Sequence, residues 1–200
     1  ETVRDYAAAE TFLKRAAAVD NKFVPRWALT NYYFRRGDEA NFWLWLGRSL
    51  EMSSAEAANV IFRMAWEESS RPEIIASHIP RSRTILSRYL SFLIGTQRIE
   101  AAAPVALRAA TMADADDLSL LMTFCERALL SDSGDAVAVW NGLSAKKLIP
   151  FTPLDPARGA IISNKDFLVS AAPRGCDWQI PAVDGAFVTQ AGDGHGISVS

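Results

Sequence analysis

The side chains that could carry acid–base chemistry are few and scattered along this chain. His78 and His195 are its only histidines. Neither stands at metal-ligand spacing from the other or in a Ser-His-Asp order that would give a nucleophile its general base. Adjacent carboxylates such as Glu67 and Glu68 face different directions on a helix, whereas a glycosidase needs two carboxylates across one cleft. We therefore expect no catalytic residues, no metal site and no cofactor.

Two polar side chains are spaced for binding rather than for catalysis. Asn31 and Arg35 stand four residues apart, so on a helix they share one face. An amide and a guanidinium on one face can jointly hold a carboxylate or a peptide backbone. The alternative is that both are ordinary solvated residues.

The tryptophans are the other residues that could contact a ligand. An exposed indole ring stacks on sugars and peptides, but aromatic side chains also fill the space between packed helices. Burial is expected for three of them: Trp45, Trp66 and Trp140. Trp27 or Trp43 could instead be a binding platform, and Trp178 is the candidate for stacking on a sugar ring.

The two cysteines, Cys125 and Cys176, form no CxxC pair and have no metal-ligand spacing. We expect both to be structural thiols. An oxidising compartment would permit a disulfide bond between them, so their redox state stays open.

The charge of the chain argues against two classes of partner. The 21 basic and 23 acidic residues are spread along the sequence and give a net charge of -2. A nucleic-acid-binding surface would concentrate basic residues, so no nucleic-acid partner is expected. The longest apolar stretches are far shorter than the roughly 20 residues that cross a bilayer, so no transmembrane segment is expected either.

Apolar residues recur at helical spacing through the first 150 residues. The predicted helices cover residues 3–19, 26–36, 39–52, 53–68, 72–78, 81–94, 97–112, 114–130 and 136–148. Gly37 and Asp38 separate the second helix from the third, and so short a turn requires the two to be antiparallel. Ser53 and Glu56 have the spacing of a capping box at the start of the fourth helix.

The composition changes after Ile149, where Pro and Gly punctuate short β-prone runs. The predicted strands are residues 160–163, 167–170, 178–180, 186–190 and 196–200. We therefore predict a mainly α protein in two parts, an antiparallel helical-hairpin domain over residues 1–150 and a β-rich segment over residues 151–200.

The stretch 16–54 resembles a tetratricopeptide repeat. Trp27, Leu29 and Tyr33 occupy aromatic and aliphatic positions of the first helix of a repeat, and 36–38, Arg-Gly-Asp, is similar to the turn between its helices. The resemblance implies an α-solenoid whose concave face binds a protein or peptide partner. The residues it would place on that face are Trp27, Asn31, Phe34 and Arg35. Later hairpins keep only fragments of the pattern, and their turns at Gly95 and Gly134 are unevenly spaced.

The segment 161–167, Ile-Ile-Ser-Asn-Lys-Asp-Phe, resembles the opening strand of jelly-roll carbohydrate-binding modules, and residues 176–180 would supply a second strand. Bacterial proteins that join repeat helices to such a sandwich are similar overall, which implies an exported or envelope-associated protein linked to polysaccharide production. A jelly roll needs about eight strands. The sequence supplies roughly half, so the sandwich is expected to be truncated or completed by something else.

These patterns lead to three functional hypotheses. The first is a non-catalytic protein-interaction scaffold that uses the concave helical face, in an envelope or exopolysaccharide system. The alternative is a carbohydrate-binding protein that uses the β-rich tail and exposed tryptophans. The third is a helical glycan-processing enzyme that uses acidic residues at the mouth of the helical array. The sequence begins with Glu1 rather than Met, which suggests either removal of an N-terminal signal or an excised piece of a longer chain, and this leaves the compartment open. The resemblance to repeat-plus-sandwich proteins implies a periplasmic, secreted or envelope-associated protein, with the cytoplasm as the other location.

Overall fold

The structure is a computed structural model that describes residues 5–131, 133–159, 163–164, 174–178, 188–190 and 197–199. The described part is mainly helical. Its α-helices are α1 (Tyr6–Val19), α2 (Phe23–Arg36), α3 (Glu39–Glu51), α4 (Ala55–Glu68), α5 (Pro72–His78), α6 (Arg83–Gly95), α7 (Ile99–Met112), α8 (Leu118–Ala128) and α9 (Ser133–Ala145). Two short 3-10 helices cover Ala115–Asp117 and Pro156–Arg158. No described helix is long and apolar enough to cross a membrane.

The predicted helices are confirmed, and their bounds differ by a few residues at several starts and at the ends of α8 and α9, which are Ala128 and Ala145. α2 begins at Phe23, before the predicted start, because Pro25 fits in the first helical turn, where a missing N–H costs nothing. The predicted capping box at α4 is wrong by one residue. Ser54 is the cap and accepts a hydrogen bond from the Ala57 backbone, whereas the Ser53 hydroxyl donates to the Leu50 carbonyl. Gly134, predicted in a turn, lies at the start of α9.

The chain divides into two compact units, Glu1–Phe92 and Leu93–Ser200. The boundary predicted near residue 150 rests on composition and stays a prediction. In the first unit the central element is the α2–α3 hairpin. Gly37 turns the chain with a φ of 65°, which a residue with a Cβ rarely adopts, and Asp38 caps α3 by accepting a hydrogen bond from the Asn41 amide.

The α2–α3 hairpin buries large apolar side chains against each other. Tyr33 and Leu29 of α2 are fully covered, as are Phe42 and Leu46 of α3. Burial of each such side chain stabilises the fold by about 1.5 to 3 kcal/mol. Apolar side chains from α4, α5 and α6 continue the core of this unit: Ile61, Phe62, Ile75, Leu86, Tyr89 and Leu90. The hairpin predicted around Gly37 is therefore held together by a buried apolar interface.

In the second unit α7, α8 and α9 pack against one another. Alanines at 102, 103, 106, 109 and 110 make a small-residue face on α7, and Gly142 of α9 lies close to the Ala110 side chain. After α9 the chain folds back onto it. The Asn141 amide donates to the Leu154 carbonyl and accepts from its N–H, both at 2.7 Å, and the Phe151 ring stacks on Trp140.

Little of the β-rich segment falls within the described residues. Strands β1 (Val188–Gln190) and β2 (Ile197–Val199) pair antiparallel, with Thr189 opposite Ser198. Both lie inside predicted strands. Ser163, predicted in a strand, lies in a turn, and Trp178 lies outside regular structure. The strand predicted over residues 167–170 falls outside the described residues, and the jelly roll stays a prediction.

Lys146 closes the C-terminal end of α7. Its ammonium donates to the carbonyls of Ala110, Thr111 and Ala113, at 3.3, 2.9 and 2.9 Å, so all three of its protons are used. The carbonyls of Ala110 and Thr111 belong to the last turn of α7 and carry the negative end of its dipole, and the Ala110 carbonyl also accepts the Ala113 N–H at 3.4 Å. We expect Lys146→Met, which keeps the aliphatic stem, to lower the free energy of unfolding by about 1 kcal/mol in urea titrations. Lys147→Met is the control, and an equal loss in both variants would refute the capping role.

Candidate functional site

Polar contacts hold α1 against α2. None of the side chains of α1, all of which the structure describes, is buried. Tyr33 donates its hydroxyl hydrogen to Glu10 at 2.8 Å, and Tyr32 donates to the Tyr6 carbonyl at 2.8 Å. The Arg36 guanidinium lies 4.4 Å from the centre of the Tyr6 ring, a cation–π contact. Because these contacts join the helices without burying α1, a cleft stays open between them.

The cleft has a volume of about 450 Å³. This is within the usual range for small-molecule sites, and it is large enough for part of a peptide. Two groups of residues line it: Asp5, Tyr6 and Ala9 on the α1 side, and Ala28, Asn31, Tyr32, Arg35 and Arg36 on α2. The cleft therefore combines two small apolar residues with aromatic, amide and charged groups.

The structure brings Asn31 and Arg35 together on the α2 wall of the cleft, as their spacing predicts. The Asn31 amide nitrogen donates to the Trp27 carbonyl at 2.8 Å, which fixes the orientation of the amide. Arg35 is exposed and forms no hydrogen bond or ion pair with any residue that the structure describes. Its guanidinium is thus available to a ligand.

The charges in the cleft favour an anion. Arg35 and Arg36 contribute two positive charges, against one carboxylate from Asp5. The Asp5 carboxylate already caps α1, since it accepts a hydrogen bond from the Ala8 amide at 2.9 Å. Both arginines also stand in the last turn of α2, where the helix dipole stabilises a cation. The charged side chains of the cleft lining therefore carry a net positive charge.

Trp27 and Phe34, predicted for the same surface, do not line the cleft. Trp27 is half-buried and its ring stacks on Phe23, one turn earlier in α2. Phe34 is also half-buried and packs on Phe42 of α3, with ring centroids 5.6 Å apart. The shared surface of four residues stays a prediction, and the structure joins only two of the four in one cleft.

The predicted burial or exposure of the tryptophans is confirmed for some of them and wrong for others. Burial of Trp45 and Trp140 is confirmed, whereas Trp66 is only half-buried. Trp43 is 4% exposed and stacks face to face on the His78 ring at 4.7 Å, so its role as a platform is wrong. Trp178 is 39% exposed and keeps its place as a candidate for sugar stacking.

Sequence reasoning missed the residues that complete the cleft. None of Tyr6, Tyr32 and Arg36 is among the residues predicted for binding. Arg36 ends α2, as its helical spacing predicts, and also covers the Tyr6 ring. The pair of arginines in a last helical turn was the available signal, because cations there commonly serve the helix end and can still face a ligand.

We expect the contact between Glu10 and Tyr33 to make the attachment of α1 depend on pH. Hydrogen bonds from Lys14 and Tyr33 lower the pKa of Glu10 below its ordinary value. A lowered carboxylate pKa contributes stability at pH values above the unfolded-state pKa, and this stability is lost as the pH falls through the folded-state pKa. We expect the hydrogen-exchange protection factors of α1 to fall on acidification while those of α3 stay constant.

Two variants check this assignment. Glu10→Gln should remove the acid-dependent loss of protection in α1, because the amide does not titrate. Glu67→Gln, which changes an exposed carboxylate on α4, should leave the loss unchanged. If α1 keeps its protection at acid pH in the unmodified protein, the Glu10 contact does not hold the helix.

Comparison with known proteins finds no counterpart. No family model, no curated protein and no solved structure matches the chain. The resemblances to tetratricopeptide repeats and to jelly-roll modules therefore stay predictions.

Among the described residues, no group of three or more His, Cys, Asp or Glu side chains could hold a metal ion. His195 falls outside the described residues.

Proposed function

We propose that this chain is a protein-interaction scaffold whose α1–α2 cleft binds a carboxylate on an extended peptide segment of a partner protein. One observation carries the proposal: the exposed guanidinium of Arg35, without a partner among the described residues, stands one helical turn from the Asn31 amide on the wall of a 450 Å³ cleft. The proposed function is non-covalent binding without catalysis.

The chemistry of the cleft suits a peptide acid. The planar fork of Arg35 offers two parallel N–H groups to a carboxylate, and the Asn31 amide pairs with a peptide group beside it. Ala9 and Ala28 leave room for a small apolar side chain of the ligand. Arg36 contacts the Tyr6 ring and, while it keeps this contact, adds positive charge to the cleft.

Fluorescence anisotropy with labelled hexapeptide pools tests the proposal. One pool has a free C-terminal carboxylate, the second has an amidated C-terminus and an internal Glu, and the third is amidated and lacks acidic residues. We expect binding of the first pool, the second or both, weakened by added salt because screening shortens the reach of the arginine charge. Binding of the third pool at the same strength, or of none, would overturn the proposal.

Carbohydrate binding is the second candidate, and the exposure of Trp178 favours it. An indole ring that is open to solvent can stack on the apolar face of a sugar. A glycan array probed with the full chain and with Trp178→Ala tests this candidate. A signal that disappears in the variant supports it, and an array without signal removes it. An exopolysaccharide or envelope system remains a prediction from the resemblance alone.

A further inference from the structure

The segment 174–178 lies against α8 and α9 within the second unit. Arg174 donates to the Thr123 hydroxyl of α8 at 2.9 Å. Gly175 packs directly on the Trp140 ring and against the end of the Met122 side chain. Met122 and Cys125 stand one turn apart on the same face of α8. These contacts bring Cys176 to the helix face that carries Cys125.

The two thiols are neighbours with different exposure. Cys125 is fully buried, with its sulfur 3.5 Å from the Ala136 carbonyl oxygen, whereas Cys176 is half-buried. A hydrogen bond with Cys176, together with burial, raises the pKa of the Cys125 thiol. The same hydrogen bond lowers the pKa of Cys176. Of the two cysteines, the more accessible Cys176 therefore forms the reactive thiolate more readily.

From this juxtaposition of Cys176 in segment 174–178 with Cys125 on α8, we infer that the two form a reversible disulfide bond when a low-molecular-weight disulfide such as oxidised glutathione is present. The bond is a covalent modification that ties segment 174–178 to α8. It is independent of the α1–α2 cleft, which belongs to the other unit.

The reaction proceeds by two exchanges. The Cys176 thiolate attacks one sulfur of oxidised glutathione, which breaks the glutathione S–S bond and releases one glutathione thiolate. The Cys125 thiol then loses its proton and attacks the Cys176 sulfur of the mixed disulfide, releasing the second glutathione. The protein loses two protons and two electrons, and two molecules of reduced glutathione carry them away.

Neighbouring side chains support the position of Cys176. The Ser163 hydroxyl lies 3.2 Å from the Cys176 carbonyl oxygen and 2.8 Å from an Asp177 carboxylate oxygen. Asp177 and Ser163 are both buried. The backbone on either side of the cysteine is thus held in place, so that ring closure needs little additional ordering.

Mass spectrometry of the native chain after exposure to oxidised glutathione tests the inference. Free thiols are then blocked with N-ethylmaleimide under denaturing conditions. We expect a monomer about 2 Da lighter than the reduced chain, with no added maleimide. Its digest should contain a linked pair of peptides carrying Cys125 and Cys176. We also expect the midpoint of thermal unfolding to rise by roughly 5 to 15 °C and to return on reduction.

Single-cysteine variants distinguish the intramolecular disulfide bond from other oxidation products. Cys125→Ser should leave Cys176 as a stable mixed disulfide with glutathione, because no second thiol resolves it. Cys176→Ser should leave Cys125 unmodified under native conditions, because it is buried. A mixed disulfide that persists in the unmodified chain, a disulfide-linked dimer, or two free thiols after prolonged exposure would each overturn the inference, whether or not the Cys125 variant folds.

Discussion

Replacing Arg35 by Glu is expected to weaken binding of the acidic hexapeptides at least about 100-fold. The substitution removes a charge-assisted, two-pronged hydrogen bond and places a like charge against the ligand carboxylate. Because Arg35 is exposed and bonds to no described residue, the folded state loses only the favourable interaction of its charge with the dipole of α2, about 0.3 to 1 kcal/mol for an exposed side chain. Anisotropy titrations should therefore show lost binding while the midpoint of thermal unfolding falls by only a few degrees.

Two further variants define the cause of that loss. Arg63→Glu makes the same change of charge at an exposed position on α4, away from the cleft lining, and should keep nearly full affinity. Arg35→Lys should fall between them, since an ammonium keeps the charge but lacks the planar fork. If Arg63→Glu weakens binding as much as Arg35→Glu, general attraction of acidic peptides explains the binding and the cleft does not.

Gly175→Ala is expected to lower the free energy of unfolding of the second unit by about 2 to 4 kcal/mol. A Cβ at this position would lie 2.6 Å from Cζ3 of Trp140 and 3.2 Å from Cε3. The Trp140 ring is fully buried, so it has no room to retreat. In addition, Gly175 has a φ of 90°, a conformation that residues with a side chain rarely adopt. Urea titration followed by tryptophan emission measures the loss.

Gly159→Ala is the matched control for this prediction. Gly159 has a similar φ of 81°, but a Cβ there would meet nothing within 4 Å. Its substitution therefore reports backbone strain without the collision, and we expect a loss of about 1 kcal/mol. Equal losses in the two variants would mean that Gly175 does not press on the Trp140 ring.

The sequence predicted the helices well because their signals are local. Helical spacing of apolar residues and the Gly37–Asp38 stop each act within a few residues, and the structure contains both. The error at the start of α4 is instructive. Ser53 and Ser54 can each cap a helix, and only the covering of Ser53 by the rest of the unit selects Ser54.

The cleft was half predictable. The spacing of Asn31 and Arg35 places them on one helix face, and this needs no knowledge of neighbours. Phe34 is adjacent to that face, but α2 is flanked by α1 on one side and α3 on the other, and Phe34 turns to Phe42 of α3. The neighbour that covers each side of a helix is determined by tertiary packing. Helical periodicity alone therefore could not show that Phe34 lies outside the cleft or that Tyr6 lines it.

α1 is held by polar contacts rather than by buried side chains, and this determines how its detachment responds to urea and to temperature. Sensitivity to urea and the heat-capacity change both scale with the apolar surface that opening exposes. A helix without a fully covered side chain exposes little additional surface when it leaves. Release of α1 should therefore proceed with a small m-value and a nearly temperature-independent enthalpy, as a separate event that precedes cooperative unfolding of the α2–α3 hairpin.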